Sequence, residues 1–141
     1  VPQSIFLHDE SIKNNIAVGE YEDEINLDRF NKAIKNAQLE EYILNLKDGV
    51  DTIVGENGSK LSGGQIQRIG IARALYINPE ILIFDEITSS IDSDTEKQLL
   101  EVIKNLKQEK TIILITHKSS NLEICDEIYK VKNKEIINIE K

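Results

Sequence analysis

Three short groups of polar residues in this sequence have types and spacings that could do chemistry. The first is Leu61-Ser62-Gly63-Gly64-Gln65, at the predicted start of a helix. Glycines let a backbone approach a ligand closely, and a helix start offers unpaired N–H groups and the positive end of the helix dipole. With the Ser62 hydroxyl as a further donor, the segment is typical of a site for a terminal phosphate. The same residues also suit a plain serine cap after a glycine turn, which is common at helix starts.

The second group is an acid pair, Asp85-Glu86, which follows the apolar run Ile81 to Phe84. Ligands of open α/β sheets bind beyond the carboxyl ends of the strands, which is where this pair would stand. Asp85 could hold a hydrated Mg²⁺ while Glu86 polarises a water. The alternative is a strand that simply ends in solvated acids.

The third candidate is His117, which follows a second apolar run, Thr111 to Ile115. Adjacent parallel strands bring their C-terminal ends together, so we expect His117 to lie near Asp85 and Glu86. An isolated histidine is more often a satisfied surface or core residue than a catalytic one. His8 has no comparable context and is predicted to be a surface residue.

The elements that must position these residues are helices followed by two strands. The apolar pattern predicts three helices, near residues 12–16, 30–37 and 62–77. The two unbroken apolar runs are typical of strands buried on both faces of a parallel sheet. A helix at about 94–108 would supply the crossover that parallel strands need. A strand pair is predicted over 127–139, turning at Asn133-Lys134, so the fold class is α/β.

The composition limits the classes of protein to consider. The 141 residues carry a formal net charge of −8, which argues against a nucleic-acid or anionic-membrane face. No run of apolar residues approaches the length of a membrane span, and a single cysteine excludes an internal disulfide. The sequence contains no methionine, so we expect Val1 not to be the natural start and the chain to be a piece of a longer polypeptide.

A P-loop is the obvious motif to look for beside such groups. Gly58-Ser59-Lys60-Leu61-Ser62-Gly63 has the two-glycine spacing, but Gly64-Gln65 follows where Lys-Ser or Lys-Thr should stand. No other segment of the 141 residues supplies the pattern. The lysine that holds the β- and γ-phosphates is therefore missing from this sequence.

Together these motifs resemble the ATP-binding domain of ABC transporters, and more narrowly the exporter type. The matching segments come in the family's order: Val1-Pro2-Gln3 is similar to the Q-loop, Asp48 to Gly58 to the exporter loop that touches the membrane domain, Leu61 to Leu75 to the signature motif and its helix, Ile81 to Glu86 to the acidic Walker B strand, Ser89 to Asp92 to the D-loop, and His117 to the switch histidine. Two positions depart from the family: Val50 stands where an aromatic is usual, and Ser90 replaces a commoner small residue.

The resemblance implies a fold and a division of the chain. The fold would be part of a P-loop NTPase (RecA-like) parallel sheet, preceded by the helical subdomain of ABC proteins. Residues 1–78 would form the Q-loop and helical signature subdomain. Residues 79–141 would form the C-terminal part of the RecA-like core.

The resemblance also implies that ATP is held between two such domains arranged head to tail. Phosphoryl transfer needs positioning and charge stabilisation more than covalent chemistry. The residues that would grip the γ-phosphate of the partner domain's nucleotide are Ser62, Gly63, Gly64 and Gln65.

The remaining roles implied by the resemblance fall on five residues. Asp85 and Gln3 would hold Mg²⁺, directly or through water. Glu86 would align or activate the attacking water, and His117 would contact the γ-phosphate. Asp92 would link the two sites across the dimer.

The implied function is an ATP hydrolase that drives export through a fused or partnered transmembrane domain. The Q-loop and the loop around Glu56 would contact that domain at the cytoplasmic face of a cell membrane, and the lysine-rich composition is typical of an A+T-rich bacterium. The cargo stays open among lipids, lipid-linked sugars, peptides and drugs. Without a P-loop, we expect the 141-residue chain alone neither to bind ATP tightly nor to hydrolyse it. Its open sheet edge predicts self-association or reliance on other chains.

Two other functions fit parts of the sequence. One is a non-catalytic, interaction-only ABC-like piece, against which the intact Glu86, His117 and Ser62 argue. The other is an ABC ATPase of DNA repair or chromosome maintenance. Those ATPases place long coiled coils between the Q-loop and the signature, for which this sequence has no room, and the acidic net charge also disfavours this alternative.

Overall fold

The computed structural model describes residues 1–89 and 91–139, and the predicted D-loop residue Ser90 lies outside the described residues. The described part has mixed α/β content. In chain order the elements are α1 (Ile12–Ile16), α2 (Leu27–Asn36), α3 (Glu40–Leu44), α4 (Gly63–Tyr76), β1 (Ile81–Asp85), α5 (Ser93–Leu106), β2 (Thr111–Ile115), β3 (Ile128–Lys132) and β4 (Glu135–Ile139). Turns of 3₁₀ helix lie at Gly49–Asp51, Glu56–Gly58 and Ser119–Ile124.

Helix α4 packs against both α1 and α2. It begins where the sequence predicts because Ser62 and Gln65 form a capping box at its first turn. It ends before Pro79, which disfavours helical geometry in the residue ahead of it. Ile69, Ile71 and Ala72 are all fully buried on more than one side of the helix, so packing against its neighbours fixes the position of the capped end.

The helical prediction is wrong in its count, because four α-helices precede β1 in the described residues where three were expected. Helix α2 has the predicted stripe, with Phe30, Ala33 and Ile34 buried. The additional helix, α3, has five residues, buries only Ile43 and has no side-chain cap. Such a short element has no apolar period that a sequence pattern could reveal.

The strands pair largely as the sequence predicts. Strands β1 and β2 are parallel, in a register that sets Asp85 opposite Ile115. Strands β3 and β4 form an antiparallel hairpin whose turn residues, Asn133 and Lys134, both have positive φ. Positive φ at both turn residues is typical of tight hairpins. The two strand pairs form separate sheets among the described residues.

The expectation that β1 and β2 are buried on both faces is wrong for the described chain. Leu82 and Phe84 of β1 point into the core and are 3% and 0% exposed. The alternate residues, Ile81 and Ile83, are 55% and 50% exposed. Successive side chains of a strand point to opposite faces, and the helices of the described residues cover only one of them.

Buried apolar side chains from the helices and from β1 form one continuous cluster. The cluster extends from Leu7 and Ile12 through α4 to Phe84 and then to Leu99 in α5. The acid pair and the capped start of α4 therefore rest on one packed core. None of the described helices is both long enough and apolar enough to span a membrane.

Candidate functional site

Glu86 and His117 are in direct contact. Each follows the C-terminal end of one parallel strand, and His117 Nε2 lies 2.7 Å from Glu86 Oε1. The imidazole is 87% exposed and the carboxylate 26% exposed. The sequence-predicted neighbours are therefore together at the sheet edge, with the imidazole facing solvent.

Glu86 has an unusual backbone, with φ of +48°. Residues other than glycine rarely adopt this left-handed conformation, and it persists where surrounding bonds enforce it. Here the Glu86 N–H donates to Ile115 O at 3.0 Å, and Ser89 N–H donates to Glu86 O at 3.0 Å. These two bonds turn the chain sharply after β1 and aim the carboxylate along the edge toward His117.

Gln3 is brought to the same edge by backbone pairing of Val1 with β1. The Val1 amino group donates to Ile83 O at 2.7 Å, and Asp85 N–H donates to Val1 O at 3.0 Å. The Gln3 side chain then donates from Nε2 to Ser89 Oγ at 2.9 Å, in the loop that follows Glu86. The segment that begins the chain is therefore tied to the acid pair.

Helix α4 holds the same segment from its other side. Gln67 donates from Nε2 to Gln3 O at 2.9 Å, and Arg73 donates to Phe6 O at 2.9 Å. A Cβ at Gly70 would lie 2.7 Å from the Ile5 side chain, so glycine is needed for this crossing. Burial lowers the pKa of the Arg73 guanidinium from its usual value. Hydrogen bonds and close packing thereby join the Q-loop-like segment to α4, the helix that begins with the glycine motif.

Asp85 and Gln3 provide a small set of oxygen donors that suits Mg²⁺. Asp85 ends β1 with an exposed carboxylate, and Gln3 could offer its amide oxygen because its Nε2 is bonded to Ser89. Among the described residues no group of three acidic, histidine or cysteine side chains is placed to hold a metal alone. Mg²⁺ commonly takes one or two carboxylates and completes its shell with phosphates and waters. The donors therefore fit a cation that arrives with a phosphate ligand.

Ser62 does act as the helix cap that the simpler interpretation required. Its Oγ accepts from Gln65 N–H at 3.3 Å, and Gln65 Oε1 accepts from Ser62 N–H at 2.8 Å. A hydroxyl that accepts in a cap still has its own hydrogen to donate. Because Ser62 and Gly63 are both exposed, the cap leaves this donor accessible. Capping and phosphate binding are thus compatible, and the second stays a prediction.

Gly64 is buried where α4 meets α5. A Cβ built there would lie 2.3 Å from Thr95 Cγ2, so a side chain at this position would displace the Thr95 side chain or the helix start that carries it. Thr95 Oγ1 donates to Asp92 Oδ2 at 2.7 Å, and Asp92 Oδ1 also accepts from the Asp94 and Thr95 N–H groups. These bonds, above all those from Thr95, hold the pKa of the Asp92 carboxyl below its usual value. In this chain Asp92 caps α5 and, through Thr95, contacts the glycine motif.

The predicted residues form two neighbourhoods. Glu86, His117, Asp85 and Gln3 share the edge beyond β1 and β2. The segment 62–65 lies at the start of α4, beside α5 and Asp92. Among the described residues no hydrogen bond or ion pair joins these two neighbourhoods directly, and Glu56 lies in an exposed 3₁₀ turn apart from both.

Sequence reasoning missed the residues that lock the two strand ends together. Lys118 Nζ donates to Thr88 O and to Glu96 Oε2, both at 2.8 Å. Asn121 is 1% exposed and joins Thr88 to Thr116. The sequence signal that could have indicated this connection is a threonine after each strand, Thr88 after β1 and Thr116 after β2. Nothing in the sequence marks Asn121.

Comparison with known proteins decides the family. The family model described as "ABC transporter" matches residues 1–89 of this chain. The chain belongs to the ABC transporter family. Two relatives bear the name ATP-dependent lipid A-core flippase. The one from Ralstonia nicotianae is 42% identical over 97% of this chain, and the one from Francisella novicida is 44% identical over 91%.

A solved structure titled "Structure of a bacterial Atm1-family ABC exporter with ATP bound" shares 39% sequence identity with this chain at a TM-score of 0.77. The likeness covers 91% of this chain and 22% of the exporter chain. Likewise, the chain spans 23% of the Ralstonia relative and 21% of the Francisella relative. The mixed α/β content fits the P-loop NTPase type of fold found in this family.

Proposed function

We propose that this chain is the C-terminal part of the ATP-binding domain of an ABC exporter, in which ATP hydrolysis at a head-to-tail dimer interface drives export. The observation that carries the proposal is the 2.7 Å contact between Glu86 and His117 beyond two parallel strands. It is supported by family membership and by likeness to an exporter over 91% of the chain. Residues 1–78 are then the Q-loop and helical signature subdomain, and the rest belongs to the RecA-like core.

In this proposal Glu86 aligns the water that attacks the γ-phosphate and accepts its hydrogen bond. The carboxylate is pre-oriented by its turn after β1 and by His117. His117, being exposed, contacts the γ-phosphate once nucleotide is present. Positioning of this kind supplies most of the catalysis in phosphoryl transfer.

Asp85 and Gln3 hold the magnesium ion that accompanies ATP. A bound Mg²⁺ neutralises charge on the phosphate oxygens. The chain's own contribution is the alignment of two oxygen donors, which the pairing of Val1 with β1 brings to one edge. The Gln3–Ser89 bond makes the position of Gln3 depend on the loop that carries Glu86.

The segment Ser62 to Gln65 acts on the nucleotide of a second ATP-binding domain. Its exposed serine and the N–H groups at the start of α4 suit the γ-phosphate of that nucleotide. Asp92 links the two sites across the dimer, as the family resemblance implies, and within this chain it contacts the start of α4 through Thr95. Both roles need a partner, which can be the same domain from a second copy or a related one.

The proposed setting is the cytoplasmic face of a bacterial inner membrane. A transmembrane domain contacts the Q-loop at Gln3 and the exposed turn at Glu56, and it selects the cargo. The two flippase relatives carry lipid A-core in their names, but this chain matches 23% or less of their length. We therefore propose export without assigning the cargo.

The test is MgATP turnover by the full-length protein that carries this chain. Glu86→Gln should lower kcat about a hundredfold or more, because it removes the water-aligning base, while ATP binding is retained. The matched control is Glu80→Gln, an exposed glutamate at the opposite end of the same strand, which should leave kcat unchanged. Absence of turnover in the wild type, or equal kcat in the two variants, would contradict the proposal.

A second measurement addresses the chain in isolation. The 141-residue polypeptide contains the proposed catalytic carboxylate but no P-loop lysine, so we expect it to hydrolyse no ATP. Phosphate release above background from the purified chain, abolished by Glu86→Gln, would contradict the proposal that hydrolysis needs a P-loop in addition to the residues of this chain.

A further inference from the structure

A buried polar cluster lies behind the Glu86–His117 pair. Its centre is Asn121, in the 3₁₀ turn Ser119–Ile124, where it is 1% exposed. Its neighbour Thr88 is 2% exposed. Buried polar side chains destabilise a fold unless they are hydrogen-bonded, so the loss of any bond in this cluster should lower stability.

Asn121 bonds to both of the loops that follow the strands. Its Nδ2 donates to Thr88 Oγ1 at 2.9 Å and to Thr116 Oγ1 at 3.1 Å. An amide nitrogen has two hydrogens in one plane, so serving both hydroxyls sets the distance between them. Ser120 Oγ donates to Asn121 Oδ1 at 3.3 Å, which orients the amide.

Each threonine lies close in sequence to one of the proposed catalytic side chains. Thr88 follows Glu86 by two residues, and Thr116 immediately precedes His117. Thr116 Oγ1 also accepts from Lys118 N–H at 3.0 Å, so His117 lies within a small hydrogen-bonded turn. A shift of either hydroxyl would therefore be transmitted to the neighbouring catalytic residue.

We propose that Asn121 is a positioning residue that holds the Glu86 loop against the His117 loop, so that the two side chains meet at hydrogen-bond distance. The inference rests on the proposed function, because it concerns the same pair. Glu86 has a positive φ, and a strained backbone conformation persists only where its surroundings enforce it. The hydrogen bonds of the cluster would help to hold the Glu86 loop in this conformation. Asn121 hydrogen-bonds the two threonines and neither member of the pair, so it acts through the threonines.

Lys118 reinforces the same connection from the surface. Its Nζ bridges Thr88 O and the mostly buried Glu96 carboxylate, both at 2.8 Å. Because Lys118 lies in the loop after β2, these bonds join that loop to the loop after β1 and to α5, but the Lys118 side chain makes no bond to Thr116. Within the described residues, Asn121 is thus the side chain that hydrogen-bonds the two threonines together.

The experiment uses the full-length protein and steady-state kinetics with MgATP. Asn121→Ala should lower kcat about tenfold to a hundredfold with KM for ATP within twofold, because the catalytic geometry loosens while the nucleotide contacts remain. Thr116→Val, which keeps the shape but removes the hydroxyl, should do the same. Thr116→Ser restores the hydroxyl and should recover most of kcat. Asn105→Ala, on an exposed face of α5, is the matched control.

Hydrogen exchange of the same proteins supplies a readout that is independent of turnover. Asn121→Ala should raise exchange in peptides covering residues 85–89 and 115–118, and Asn105→Ala should not. Unchanged exchange there overturns the inference even if the wild type is an active ATPase. So does a kcat that matches the control, or a loss that Thr116→Ser fails to recover. Raised exchange in Asn121→Ala, together with no turnover by the wild type, would support the role of Asn121 in joining the loops and reject the proposed function instead.

Discussion

The helical region, residues 1–78, and the strand region, residues 79–139, differ in how their exposed apolar residues are arranged, because those of β1 and β2 lie side by side on one sheet face. In the helical region Ile12, Ile69 and Ile71 are fully buried in one cluster. In the strand region the cross-strand partners Ile83 and Ile113 are 50% and 48% exposed. Contiguous exposure of this kind is less common on soluble proteins than single exposed side chains.

This difference shows which of the two predicted groups, the glycine motif or the acid pair with His117, is positioned by a packed element. The glycine motif begins a helix that is packed into the core, and its cap is formed by Ser62 and Gln65 of the same segment, so the geometry of the cap is set locally. The acid pair and His117 stand on a two-stranded sheet packed on one face, so their geometry depends on loop bonds such as those of Asn121. The exposed isoleucine face is a further reason to expect the isolated chain to self-associate.

The largest expected effect contrasts one buried with one half-exposed isoleucine. Ile69→Ala in α4 should lower the free energy of unfolding by about 2–5 kcal/mol, because it leaves a cavity in a packed core. Ile83→Ala in β1 should cost about 1 kcal/mol, chiefly through lost β propensity. Urea unfolding followed by circular dichroism measures both. Equal losses would remove the proposed contrast between the regions.

The second prediction concerns the junction of the two regions at Gly64. Gly64→Ala should destabilise the chain by about 1–3 kcal/mol, because its Cβ would overlap the Thr95 methyl group. Thr95→Ser removes that methyl and keeps the hydroxyl that donates to Asp92. The double variant should therefore lose less stability than the two single changes added together, as a double-mutant cycle by urea unfolding would measure. Strict additivity would show that the helix starts are not in close contact.

The smallest expected effect is the pH dependence contributed by Asp92. Its pKa is lowered in the folded state by bonds from Thr95, so folding favours the charged form. The associated stability is fully present above the ordinary aspartate pKa, about 3.9, and is lost as the pH falls through the lower folded value.

Asp92→Asn keeps a side chain that can cap α5 but has no charge to titrate. The stability difference between wild type and variant, measured by urea unfolding, should therefore shrink as the pH falls from 7 toward 3. A difference that grows on acidification would contradict the assignment of this cap.

Much of the local structure was predictable from the sequence. Ser62 and Pro79 bound α4 because capping and proline sterics act over a few residues. Unbroken β-branched runs predicted β1 and β2, and their parallel pairing brought Glu86 to His117 as expected. Helix α3 was missed because five residues with one buried side chain have no period to detect.

The number of covered sheet faces was also mispredicted. An apolar run shows that a strand is hydrophobic, but it does not show whether another element packs against each of its faces. The left-handed turn at Glu86 and the role of Asn121 have no sequence signal of their own. Both depend on which loops meet in space.

By itself the sequence determined the types of chemistry: a glycine-rich helix start, an acid pair after one strand and an imidazole after the next. Spacing and local sterics suffice for that, because each group depends on neighbours in the chain. Only the tertiary structure decided that Gly64 must lack a side chain and that Asn121 spans two loops. Those features arise from contacts between segments distant in sequence, whose separation is fixed only when the core packs.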